Sequence, residues 1–64
     1  MTLILQGKRE EIPLEKPMRI KALLKQLDIY PEEVLVVVND KLSTEDRYIK
    51  PGDVVEVIRV ISSG

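Results

Sequence analysis

The sequence predicts an α+β domain with one helix laid on one face of a mixed β-sheet, and three observations predict it. The stretch "RIKALLKQLDI" places Ile20, Leu23, Leu24 and Leu27 at i, i+3, i+4 and i+7, one apolar stripe on a helix. Short runs rich in β-branched residues stand on both sides of it, as strands do. "GKR", "ND" and "KPGD" break those runs with turn chemistry. At 64 residues the chain is one domain with one thin core, because a chain of this size hides only about 60% of the surface its unfolded form exposes.

The elements follow in order. "TLILQ", residues 2–6, is short and apolar enough for a buried strand, and Gly7 supplies the backbone angles a tight hairpin needs. A second strand is expected over residues 10–15, "EEIPLE". Pro13 inside it lacks an N–H for the ladder, which places this strand at a sheet edge. The helix is expected from residue 19 to about 29. Pro17 suits a first turn, although no Ser, Thr, Asp or Asn precedes it as a cap, and Pro31 disfavours helical geometry at Tyr30.

Residues 33–40, "EVLVVVND", form a third strand closed by Asn39 and Asp40, and residues 41–50 have no clean period, which reads as a short extended piece and an irregular turn. "KPGD" is a tight turn, and "VVEVIRVI", residues 54–61, is the longest strand candidate. The first and last strands lack polar alternation and are therefore expected to be central. If they are neighbours they run parallel, since a hairpin and a helix separate them. Alternation puts Val55 and Val57 on the core face of the last strand and Glu56, Ile58 and Val60 on the other. Tyr30 and Tyr48, the only aromatic residues, are expected to be partial caps on the small core.

Composition excludes whole classes of activity. The chain has no Cys, hence no disulfide, thiolate zinc site or catalytic thiol, and no His, the usual base near neutral pH. Ten Lys/Arg against eleven Asp/Glu give a net charge of -1, without the basic excess that a nucleic-acid surface shows. The first residues are too short an apolar run for a signal peptide and no stretch is long enough to span a membrane, so a soluble cytoplasmic domain is expected. The acidic pairs Glu10/Glu11, Glu32/Glu33 and Glu45/Asp46 point to opposite faces where extended, with no third group converging, so no metal site and no bound cofactor are expected.

"IKALLKQLDI", "VVVNDKLSTEDRY" and "KPGDVVEVIRVISSG" together resemble, in order and spacing over almost the whole chain, the ubiquitin-like sulfur carriers of thiamine and molybdopterin biosynthesis, the ThiS/MoaD type. The resemblance implies the β-grasp fold, a domain over residues 1–61 and a flexible tail of Ser62, Ser63 and Gly64. It also implies a protein that is a co-substrate and not an enzyme. In such carriers an E1-like adenylating enzyme uses ATP to activate the terminal carboxylate, here that of Gly64. A persulfide sulfur-donor protein then supplies the sulfur of a thiocarboxylate, and a sulfur-accepting synthase receives it for a thiazole, a molybdopterin precursor or a tRNA base.

By the same resemblance Glu56, Ile58 and Val60, beside the tail, would meet the activating enzyme. The family's usual ending is a Gly-Gly pair, and Ser63 departs from it. A ubiquitin-like modifier joined to a target lysine through Gly64, or a β-grasp module that only binds a partner, are the alternatives.

Overall fold

The computed structural model describes residues 1–60. Strand β1, Thr2–Leu5, turns back into β2, Lys8–Glu11, through Gln6 and Gly7 alone. Both turn residues have positive φ, 52° and 78°. These are the angles of a type I′ turn, whose twist matches that of the strands it joins. A mutual pair of backbone bonds between Met1 and Ile12, both 2.8 Å, adds one rung beyond Thr2.

The short β3, Met18–Arg19, leads into helix α1, Ile20–Gln26, and a 3₁₀ turn at Pro31–Glu33 precedes β4, Val34–Val38. A second two-residue turn, Asn39 and Asp40 at φ 51° and 68°, closes β4 onto β5, Lys41–Ser43. β6, Tyr48–Ile49, and β7, Val54–Arg59, complete the chain.

Five strands form one sheet in the order β2-β1-β7-β4-β5, and β3 pairs with β6 in a separate ladder. β1 and β7 run parallel at the centre, and every other pair in the large sheet is antiparallel. This is a mixed sheet with one helix on one face, the β-grasp arrangement. Leu3, Val38 and Val55 meet Ile20 and Leu24 of the helix and Ile49 of β6, all essentially without solvent contact.

The helix is shorter than residues 19–29 for a reason that lies in its last turn. Asp28 adopts φ 59°, and the N–H groups of Asp28 and Ile29 donate to the carbonyls of Lys25 and Leu24 at 3.1 and 2.9 Å. This is a Schellman close with Asp where Gly is usual. It stops the helix before the influence of Pro31 is felt. The start has no side-chain cap. Instead the N–H groups of Ile20 and Lys21 donate to the carbonyls of Arg47 and Glu45, both at 2.9 Å, so a segment distant in sequence satisfies the first turn.

Four further expectations are corrected. β2 begins two residues earlier than expected, where the two-residue turn sets its register, and ends before Pro13; it is an edge strand, paired with β1 alone. Residues 41–50 hold two short strands, β5 and β6. Tyr30 and Tyr48 are exposed and do not cap the core; Tyr48 lies under the Arg19 guanidinium, 5.1 Å from its ring centroid, a cation–π contact. β7 ends at Arg59, short of residue 61, and the boundary expected between residues 61 and 62 lies outside the described residues.

Candidate functional site

β7 occupies the middle of the sheet and leads to the C-terminal residues. At its start, Lys50-Pro51-Gly52-Asp53 is a turn closed by a 3.1 Å bond from the Asp53 N–H to the Lys50 carbonyl, with Gly52 at φ 91°. Pro and Gly sit where a type II turn calls for them. The Asp53 carboxylate accepts from the Lys50 N–H at 2.8 Å and from Asn39 Nδ2 at 3.0 Å. Those two hydrogen bonds, the backbone one first, hold its pKa below the ordinary aspartate value. Asn39 Oδ1 accepts from the Val54 N–H at 2.9 Å and the Asn39 N–H donates to the Val54 carbonyl at 2.8 Å.

At the other end β7 outruns β1. β1 stops pairing at Leu5, opposite Val57, because the chain turns away at Gln6 and Gly7. Beyond Val57 the strand is held from the β4 side only, through Leu35 opposite Ile58 and Val34 opposite Arg59. A final 2.8 Å bond runs from the Val60 N–H to the Glu33 carbonyl in the 3₁₀ turn. The space left by β1 is an open cavity of about 240 Å³, bordered by Leu5, Gly7, Ile29, Val34 and Arg59.

The face of the sheet turned away from the helix is open and largely apolar. Val55 and Val57 point to the core, while Glu56 and Ile58 lie on the open face. Val60, exposed, follows the end of β7. Ile58 is 42% exposed and paired with Leu35, which is 46% exposed; Leu42 on the edge strand β5 reaches 68%. The apolar run in β7 therefore does not mean that both faces are covered. Leu35 is not found from the sequence because the "VLVVV" run hides which of its members face outward, and Leu42 because residues 41–50 show no clean period; the two-residue turn at Asn39 and Asp40, which fixes register, is the signal that finds both. Ser62, Ser63 and Gly64 lie outside the described residues.

Among the described residues no three His, Cys, Asp or Glu side chains gather as metal ligands, and no helix is long and apolar enough to cross a membrane. Only one ion pair occurs among them, Lys21 with Asp46 at 3.8 Å, and it is exposed.

A central strand leading to the C-terminal residues, one helix behind the sheet and an open apolar face before it define a ubiquitin-like β-grasp protein. The ThiS family model matches residues 3–64, and the chain belongs to that family. Two structures of a thiamine biosynthesis protein from Geobacter metallireducens are similar to it. The crystal structure, of the protein described as ThiS, is 25% identical with a TM-score of 0.69 and both chains covered in full. The NMR solution structure is 25% identical with a TM-score of 0.66, covering all of this chain and 88% of the other.

Proposed function

We propose that the protein is a sulfur carrier for thiamine biosynthesis, whose Gly64 carboxylate is adenylated by an E1-like enzyme and converted to a thiocarboxylate. One observation supports the reading: the ThiS family model matches residues 3–64, a span that includes Gly64. The carrier supplies the acyl group, while the activating enzyme, the persulfide donor and the thiazole-forming synthase supply the chemistry. The likeness to a thiamine biosynthesis protein favours that pathway over a molybdopterin or tRNA acceptor.

The need for a partner follows from carboxylate chemistry. A free carboxylate is a poor electrophile, so attack on ATP, with loss of pyrophosphate, converts it to an acyl-adenylate; the donor's persulfide displaces AMP to give an acyl disulfide, and a second partner thiol attacks the donor's sulfur, releasing the thiocarboxylate and leaving a disulfide. A terminal glycine has no Cβ to obstruct a narrow channel in the activating enzyme, and Ser62 and Ser63 are small enough to follow it. Docking falls to the open face around Glu56, Ile58 and Val60. The anchoring of β7 at Asn39–Asp53 and at Glu33 holds that face firmly in the sheet.

The test is mass spectrometry of the tryptic fragment of residues 60–64 after incubation with ATP, a sulfur source and the activating enzyme of the same organism. The expected result is a mass gain equal to replacing one oxygen by sulfur. The fragment contains no Met, so oxidation cannot imitate the gain. A ladder of larger lysine-linked adducts would instead identify a modifier, and an unmodified fragment beside an active control carrier would refute activation at Gly64.

A further inference from the structure

The open face has one charge at its centre. Counting across the sheet from β2 to β5 through the pairing registers, one row reads Arg9, Ile4, Glu56, Val37, Leu42. Glu56 stands in the middle strand with an apolar neighbour on each side, and Ile58 and Val54 flank it along β7. Among the described residues it makes no ion pair. The cation in its row, Arg9, is two strands away, about 10 Å at the usual strand spacing. Alone the arrangement is harmless, because water solvates the carboxylate.

A partner that covers this face changes that. The apolar contacts that stabilise docking also strip water from Glu56, and a desolvated carboxylate without a counter-charge opposes binding. A second copy of the chain is poorly suited to fill the role: a two-fold axis over β7, the middle strand, sets Glu56 against Glu56. The occupant that suits the face is an apolar surface carrying one cation.

We propose that Glu56 is a specificity residue for docking: the activating enzyme presents an apolar patch with a single cationic side chain, arginine by its bidentate fit to a carboxylate, aimed at Glu56. Partners lacking that cation, and further copies of this chain, are excluded by the same carboxylate. This rests on the carrier reading above and adds the chemistry of the partner's surface to it.

The test compares the wild type, Glu56→Gln, Glu56→Lys and Ile58→Ala for binding to the immobilised activating enzyme of the same organism, with association and dissociation rates measured at low and high salt. Glu56→Gln keeps the shape and removes the charge. The expected result is a weakening of roughly thirtyfold or more, carried by faster dissociation, and a larger loss for Glu56→Lys. Reversing the charge of the facing cation on the enzyme should restore binding to Glu56→Lys.

Glu56 variants that bind like the wild type while Ile58→Ala binds weakly would overturn the cation and leave the carrier reading standing. So would an effect confined to the association rate and erased by salt, which is how a rim charge behaves. A wild type that does not bind the enzyme at all would refute the carrier reading, and the proposal with it. Sedimentation of the chain alone is expected to show a monomer; a wild-type dimer dissociated by Glu56→Gln or Arg9→Gln would mean that the face is a self-interface and overturn the proposal.

Discussion

Asn39 is where two turns and two strands meet. Its side chain bridges the Asp53 carboxylate and the Val54 N–H while its backbone holds φ 51° in the hairpin turn. Asn39→Ala loses both hydrogen bonds and places a Cβ residue without local polar compensation in the left-handed region, for a cost of about 2–3 kcal/mol. Asn39→Gly loses the same bonds but not the backbone fit, and is expected to recover about 1 kcal/mol of that. Urea unfolding of the two variants separates the terms.

Asp53 carries a pH dependence of known sign. Its folded pKa is depressed, so its contribution is complete above the unfolded value and is lost as pH falls through the folded one. Urea midpoints followed from neutral to strongly acidic pH should therefore fall less for Asp53→Asn than for the wild type, and parallel curves would refute the link.

At the scale of elements, the helix shows why local signals stop short. Its apolar stripe is plain in the sequence, but its ends depend on a non-glycine residue at positive φ and on carbonyls from residues 45 and 47. Asp28 also sets a negative charge at the helix C-terminus, where the dipole disfavours it. Asp28→Gly relieves both, and a gain of about 0.5–1 kcal/mol in thermal or urea unfolding is expected. The β1–β2 hairpin gives a parallel case. Gln6 occupies a type I′ position that Asn accepts more readily, so the extended reach of "EEIPLE" misled, and the short Gln6-Gly7 turn decided where β2 begins.

At the scale of the whole molecule, a single thin core leaves little reserve. Leu24, 1% exposed, is packed between helix and sheet, and Leu24→Ala is expected to cost about 2–5 kcal/mol, a large part of the stability of so small a domain. Calorimetry should show a markedly lower melting temperature. The opposite expectation holds for deletion of Gly64: an unchanged unfolding curve and complete loss of ATP–pyrophosphate exchange with the activating enzyme. Retained exchange in that variant would refute adenylation at Gly64. The core and the proposed docking are separable because the buried residues lie between the helix and the inner face, whereas Glu56 and Ile58 lie on the outer face.

The class of fold, the helix stripe, the central first and last strands and the inward direction of Val55 and Val57 are legible in the amino-acid order, because these follow from periodicity and from which residues must leave water. That order also held the turn signals "ND" and "KPGD". The ends of the helix, the two short strands within residues 41–50, the exposure of both tyrosines and the neighbours of Glu56 on the open face emerge with the folded chain. Those depend on hydrogen bonds and strand registers between residues far apart along the chain, and a local pattern of apolar and polar residues does not encode which distant carbonyl or neighbouring strand will be met.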